Sequence, residues 1–199
     1  LAGGGQPATL SLVNRALIEL DGGSNVGVLM AYRQSLERRD DYNLVLGLDG
    51  ALRGAGKLLL TGFSLLSLNG AQVGAPALAA GSPGTGPGGA LGAEVQWRGL
   101  LVRPRLRYAY YDPQLRADLG FFRRVGVHDL NASVVVEPRL QRAGLERLTI
   151  SIGAGGVASA DASRLLDTST TGALTLHWGI GFAAGVDWRY ATETVLEAF

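Results

Sequence analysis

The chain has 199 residues, a formal net charge of +1, 18% charged residues and 30 glycines. The near-zero charge gives no electrostatic case for nucleic acid, and we predict no nucleic-acid partner. The absence of cysteine excludes disulfides and thiolate metal sites. The sequence contains no run of about 18 apolar residues, so we predict no transmembrane helix.

In chain order, residues 1–8 predict a flexible lead-in and residues 9–199 a single all-β domain. Its segments alternate apolar and polar side chains, a period that places the two sets on opposite faces of a strand. Residues 67–91, rich in Gly, Pro and Ala, predict one long loop. Ten strands are predicted, at residues 9–20, 25–34, 42–52, 57–67, 93–98, 102–110, 128–137, 148–156, 168–178 and 179–190.

The central hairpin carries the most informative pattern. Three arginines occupy alternate positions of its second arm: Arg103, Arg105 and Arg107. A two-residue turn at residues 99–100 is predicted, which sets Gln96 opposite Arg103. Two residues further on, Glu94 falls opposite Arg105. One face of this hairpin is therefore polar and the other apolar.

An antiparallel transmembrane β-barrel accounts for both faces, because such barrels have an apolar outer band with aromatic girdles and a polar lumen. About ten strands are visible, as a complete barrel or as part of a larger one. Six aromatic residues are predicted to lie at the membrane interface: Trp97, Tyr108, Tyr110, Trp178, Trp188 and Tyr190. The alternative is a soluble β-sandwich that binds carbohydrate through these aromatic side chains.

The polar parity predicts a set of lumen-lining residues: Arg103, Arg105, Arg107, Glu94, Gln96, Asp129 and Glu137. Arginine ladders in pores select anions or phosphorylated solutes. The alternative is a structural network in which neighbouring acids hold the arginine side chains. The sequence is compatible with both interpretations.

The loop that follows the central hairpin carries a second charged group, with the residues LGFF between its charges. We predict either a plug that folds into the lumen or an ordinary solvated external loop. The residues concerned are Arg116, Asp118, Arg123 and Arg124.

Three motifs carry a resemblance to a known family: N-x-G-x-L at 25–29, G-x-D-x-x-L at 47–52, and R-A-D-L-G-F-F-R-R at 116–124. They resemble the C-terminal outer-membrane β-barrel of a bacterial family of unknown function. Longer members of that family carry an N-terminal carbohydrate-binding-like β-sandwich, which is absent here. The resemblance implies a barrel in the bacterial outer membrane, and we expect the chain to be a piece of a longer protein.

Catalytic chemistry has little support in the sequence. The only two histidines, His128 and His177, lie near no nucleophile elbow and show no metal-ligand spacing. We therefore predict no enzyme activity, cofactor or metal. The predicted function is a passive pore or a membrane anchor for an associated module. Its partners would be the lipid bilayer and either a larger membrane-protein assembly or the missing parts of the same chain. An outer-membrane hydrolase is the weaker alternative.

Overall fold

The computed structural model describes residues 8–54, 56–70, 87–120, 124–142 and 144–194. The predicted lead-in at residues 1–8 lies outside these ranges apart from Ala8. Most of the predicted loop at 67–91 also lies outside them, although both of its ends belong to strands.

The described residues form an all-β structure whose strands make one antiparallel sheet. A single 3-10 turn, Asp21–Gly23, joins the first two strands. The strands are β1 Thr9–Leu20, β2 Ser24–Ser35, β3 Tyr42–Gly54, β4 Leu58–Asn69, β5 Gly88–Trp97, β6 Val102–Tyr111, β7 Val127–Val136, β8 Arg139–Arg142, β9 Leu145–Ser159, β10 Leu165–Trp178 and β11 Ala183–Glu193. No helix within the described ranges is long and apolar enough to cross a bilayer.

The sheet is a meander in which neighbours in sequence are neighbours in space, in the order β1-β2-β3-β4-β5-β6-β7-β9-β10-β11. The short strand β8 pairs with β9 in the register that β7 began, so β7 and β8 are one strand interrupted at Glu137 and Pro138. Ten strand positions across the sheet agree with the predicted ten strands. The predicted closure into a barrel is not observed, because neither β1 nor β11 pairs with a further strand of the described chain.

The central hairpin differs from its predicted register. Its connection is the four residues 98–101 rather than a two-residue turn, and this shifts the pairing by two positions. Gln96 lies opposite Arg105 and Glu94 lies opposite Arg107. The faces are unchanged, because a shift of two residues preserves the side-chain alternation. Similarly, β11 begins at Ala183 and not at residue 179, since Gly181, with φ of 81°, belongs to the preceding turn.

The two faces of the sheet separate charge completely along most of its strands. On β1 to β7, β10 and β11, each Asp, Glu and Arg lies on one side, here called the polar face. The opposite side, called the apolar face, carries Leu48, Leu130 and Ile152, which are 51%, 50% and 53% exposed. A soluble domain would bury such side chains, yet no second layer covers them among the described residues.

The strands are also staggered. One row of paired residues crosses the sheet from β3 to β11: Leu52, Leu60, Val95, Leu106, Ala132, Ala154, Thr170 and Tyr190. This row lies two residues from Gly54, next to the β3–β4 connection, but seven residues from Ala183, next to the β10–β11 connection at the same end of the sheet. Such a progressive shift is the stagger that accompanies strand tilt in barrels.

The sheet has two distinct ends. The turn end holds the connections β1 to β2, β3 to β4, β5 to β6 and β10 to β11, and the loop end holds those from β2 to β3, β4 to β5, β6 to β7 and β9 to β10. The few buried apolar side chains gather towards the loop end on the polar face, among them Val45, Ala109 and Leu115. Leu115 comes from the β6–β7 connection, so this loop supplies part of the core.

Candidate functional site: the polar face of the sheet

The central arginine column is largely neutralised by acids. Arg103 Nη1 donates to Glu137 Oε2 at 2.7 Å, and Arg105 Nη2 donates to Glu94 Oε2 at 2.7 Å. Both arginine side chains are partly exposed, so solvent weakens these ion pairs. The predicted association of the column with Glu94 and Glu137 is present, although the Arg105–Glu94 contact is diagonal and not between opposite residues.

Glu137 lies between β7 and β8, where it joins a small network. The hydrogen bond from Arg103 lowers the pKa of the Glu137 carboxyl, and the charges of Arg103 and Arg147 act in the same direction. Thr149 Oγ1 donates to the other carboxylate oxygen at 3.5 Å and lies 3.3 Å from His177 Nε2. These contacts hold Glu137 ionised at neutral pH.

Arg107 differs from the other two arginines of the column. None of the ion pairs found in the described ranges involves it, because Glu94, directly opposite, is engaged by Arg105. The nearby Asp129 instead accepts a hydrogen bond from Asn131 Nδ2. Arg107 also lines three cavities on the polar face, of about 320, 400 and 660 Å³. It is therefore the column's cation that has no acidic partner among the described residues.

The remaining predicted lumen residue, Gln96, also faces this side. Its Oε1 accepts a hydrogen bond at 3.2 Å from Nε of Arg98, which begins the connection to β6. Gln96 thus belongs to the turn end of the polar face and lies away from the cavities around Arg107.

The connection after β6 crosses the polar face at the loop end; its described part, residues 112–120, is called the crossing segment. Asp112 N donates to Gly89 O of β5, and Arg116 N donates to Ser67 Oγ of β4. Asp118 N then donates to Asn43 Oδ1 of β3. The segment therefore passes over one strand after another, and its backbone N–H groups donate to a backbone carbonyl of β5 and to side chains of β4 and β3.

Arg116 anchors the crossing segment through a buried ion pair. Its side chain is 6% exposed, and its Nε and Nη2 donate to the two oxygens of Asp118, each at 2.6 Å. Burial alone would lower the pKa of Arg116, but the hydrogen bonds and charges of Asp118 and Asp41 outweigh burial and raise it. Arg33 of β2 donates to Asp118 at 2.9 Å, so the cluster contains two cations and two carboxylates.

The other predicted loop residues lie apart from this cluster. Arg124 donates to Asp167 of β10 at 2.8 Å and to Glu193 of β11 at 2.9 Å, far along the sheet from β2. Arg123 lies outside the described residues. The two ends of the connection thus bind opposite halves of the sheet.

The six aromatic residues predicted at the membrane interface all have apolar-face parity. Trp97 and Trp178 stand at the turn end, and Tyr108 and Tyr110 stand near the loop end. Trp188 lies at the middle of β11, and Tyr190 lies three residues from the end of that strand. Trp188 packs its ring over Gly172 on the neighbouring strand, where any added Cβ would collide with the ring.

The two histidines have separate structural contacts. His128 Nδ1 lies 2.8 Å from Tyr108 Oη, and its Nε2 lies 3.0 Å from the carbonyl oxygen of Ala160. Because a carbonyl can only accept, Nε2 carries the proton and Nδ1 accepts from the tyrosine. His177 contacts Thr149. Within the described ranges, no group of three His, Asp or Glu side chains is arranged to hold a metal ion.

Sequence reasoning missed two sets of residues on this face. Asn43 and Asn69 hold the crossing segment and lie at strand ends. Polar residues are common at strand ends, so their position in the sequence does not indicate this role. Arg139, Arg142 and Arg147 line a cavity of about 690 Å³ at the turn end. The unusual length of the connection at residues 138–147 was the signal that could have identified the second set.

Comparison with known proteins adds nothing to this geometry: no protein-family model, no curated protein and no solved structure matches the chain.

Proposed function

We propose that this chain forms the wall of a bacterial outer-membrane β-barrel that serves as a passive pore, with a membrane anchor for an associated module as the second possibility. One observation carries the proposal: the apolar face of β1 to β7, β10 and β11 bears no Asp, Glu or Arg. Lipid requires this arrangement, because an arginine or lysine on the lipid-facing side of a barrel costs about 2–4 kcal/mol at the bilayer midplane, and an acidic side chain costs less but is still unfavourable.

Strand length supports the same proposal. Apart from β8, the strands have 10 to 15 residues. At about 3.3 Å per residue and a tilt of about 45°, such strands cover roughly the 25 Å apolar band of an outer-membrane barrel. The observed stagger across the sheet is the shift that tilted barrel strands need.

In this proposal, the backbone groups at the two open edges of the sheet must pair with another strand. Both β1 and β11 expose a row of unpaired backbone groups, which lipid cannot satisfy. In a meander of ten strand positions, β1 and β11 run antiparallel to each other, so they can pair in one molecule. Further strands of a longer chain or a membrane assembly would complete a larger barrel.

The soluble sandwich alternative is disfavoured by the layer structure. A sandwich packs two sheets face to face about 10 Å apart, whereas the strands of the described chain belong to one sheet with an uncovered apolar face. The hydrolase alternative lacks support from the contacts of His128 and His177, since their hydrogen-bond partners are tyrosine, threonine and a backbone carbonyl.

The pore is preferred to the anchor because of Arg107. It borders cavities on both sides of β6, which are lined by residues of β2 to β5 on one side and of β7, β9, β10 and β11 on the other. The crossing segment covers the polar face near β2 to β5 at the loop end and would narrow the mouth of the pore on that side.

Neighbouring residues of β7 provide the test of membrane insertion. Leu130 lies on the apolar face and Asn131 on the polar face of the same strand. We expect Leu130→Lys to prevent refolding into lipid vesicles and the heat-dependent gel shift of a closed barrel. Asn131→Lys, the matched control, should insert as the unmodified chain does. Equal behaviour of the two variants, or a soluble monomer without detergent, would overturn the proposal.

Planar bilayer recordings distinguish the pore from the anchor. Arg107→Glu should shift the permeability ratio towards cations, because the substitution replaces a cation that lines these cavities and forms no ion pair in the described ranges by an anion. Arg53→Glu, a change of equal charge at a residue that lines none of these cavities, should have the smaller effect. A fully inserted protein that conducts no ions would leave the anchor as its function.

A further inference from the structure

The short hairpin of β8 and the start of β9, described at residues 139–142 and 144–147, brings like charges together at the turn end. Arg139 of β8 lies directly opposite Arg147 of β9, and Arg147 in turn lies opposite His177 of β10. Three basic side chains therefore form one row across three adjacent strands. Arg142, at the end of β8, lines the same cavity.

This arrangement is unfavourable without a counter-charge. Like charges that face each other across an antiparallel pair destabilise it. None of the ion pairs in the described chain involves Arg139, Arg142 or Arg147. The charge of Arg147 lowers the pKa of the neighbouring Glu137 carboxyl, but the ion pair of Glu137 is formed with Arg103.

The cavity that these side chains line has the size and charge of a ligand site. Its volume is about 690 Å³, the largest of the cavities described above, and Glu146 is the one acid in its lining. Three arginines and one glutamate give the lining a formal charge of +2, with His177 counted as neutral. The lining is open to solvent at the end of the sheet where the hairpin extends beyond the β5–β6 connection.

We propose that this cavity, lined by Arg139, Arg142, Arg147 and His177, binds a phosphate-bearing solute. Planar guanidinium groups match phosphate oxygens with paired hydrogen bonds, and several of them together neutralise a multivalent anion. A histidine adds a further donor. The proposal depends on the hairpin and not on membrane insertion, so it can hold even if the proposed function fails.

The phosphate could belong to a soluble molecule or to a lipid headgroup. Arg139, Arg147 and His177 have polar-face parity, which points away from the apolar face that lipid would contact. Arg142 is the exception, because beyond a register shift it pairs with Leu145, which lies opposite Trp178 of the apolar face. This favours a soluble phosphate compound. Competition between a soluble phosphate and anionic phospholipid separates the two sources.

Isothermal titration of the full chain in an uncharged detergent, with inorganic pyrophosphate as the probe, tests the site. We expect saturable binding that the double variant Arg139→Gln/Arg147→Gln weakens by about tenfold or more, since two charge-assisted contacts are lost. Glu146→Gln should strengthen binding, because it removes the opposing carboxylate. Arg53→Gln is the matched control: this arginine also lies at the turn end but outside the cavity, and its loss should leave affinity unchanged.

The outcomes are distinguishable from a failure to fold. Pyrophosphate should raise the melting temperature of the unmodified chain and not that of the double variant. Displacement of pyrophosphate by phosphatidylglycerol micelles would assign the site to a headgroup, and lack of displacement to a soluble compound. The proposal is overturned if pyrophosphate does not bind, or if the double variant binds it as tightly as the Arg53→Gln control.

Discussion

Arginines at the two ends of the sheet have opposite surroundings. At the loop end, Arg116 is buried and bonded to both oxygens of Asp118, with Asp41 and Arg33 completing a balanced cluster. At the turn end, Arg139 of β8 and Arg147 of β9 lie opposite each other on adjacent strands and take part in no ion pair of the described chain. The same residue type therefore stabilises the fold where its charge is matched and is available for binding where it is not.

The largest expected difference between the two ends concerns Arg116. Arg116→Ala should lower the free energy of unfolding by about 3–5 kcal/mol, because it leaves two carboxylates without their buried partner. Urea unfolding followed by tryptophan fluorescence measures this loss. Arg142→Ala, at the exposed hairpin, is the control and should have little effect. Equal losses in the two variants would contradict the distinction between the two ends.

A smaller loss is expected at Asn43, which is 1% exposed. Its amide donates to Asn69 Oδ1 at 2.7 Å and to the Arg116 carbonyl at 2.9 Å. Asn43→Ala should cost about 1–3 kcal/mol and loosen the crossing segment, because buried polar groups lose their partners. Limited proteolysis within residues 112–120 measures the loosening. Asn131→Ala, an exposed amide, should not accelerate cleavage; if it does so equally, the role assigned to Asn43 is wrong.

At the turn end, removal of an arginine should act in the opposite direction. Arg139→Gln relieves the repulsion with Arg147 and is expected to raise the free energy of unfolding by about 0.2–1 kcal/mol in phosphate-free buffer. The gain should shrink at high salt, where the repulsion is screened. Comparison with Arg53→Gln in the same urea titration isolates the pair. A destabilised Arg139→Gln variant would mean that this end also depends on its charges for stability.

The smallest effect is expected from Asp161, in the connection between β9 and β10 at the loop end. Hydrogen bonds from Ser159 and Ser163 lower the pKa of Asp161 to about 2. A lowered pKa in the folded state stabilises the fold above the ordinary value near 3.8, and this contribution disappears as the pH falls towards 2. Unfolding measured between pH 5 and pH 2 should therefore depend on pH less steeply in Asp161→Asn. An unchanged slope would show that the carboxylate contributes nothing.

The sequence predicted the strands well, because each strand carries its own alternating pattern. The faces of the central hairpin were correct for the same reason, even though the four-residue connection shifted Glu94 from Arg105 to Arg107. The wrong predictions concern the connections between strands. Residues 179–182 form a turn where a strand was predicted, and residues 139–142 form a strand where a connection was predicted.

For the site residues, the sequence predicted on which face of the sheet each side chain lies but not which residues it contacts. Alternation assigned Arg103, Arg105 and Arg107 to one side, but it could not distinguish the two that form ion pairs from the one that forms none among the described residues. The Asn43–Asp118 contact joins residues 75 positions apart and depends on a loop path that local pattern does not contain.

The sequence by itself determined that the chain forms β-strands with one charged and one apolar face, because side chains alternate along any extended strand whatever its neighbours. Only the tertiary structure decided which charges meet. Strand register, the interruption at Pro138 and the route of the crossing segment bring Arg116 to two carboxylates and Arg139 to another arginine. Pairing across strands is a property of the whole sheet, since each register depends on the connections that precede it.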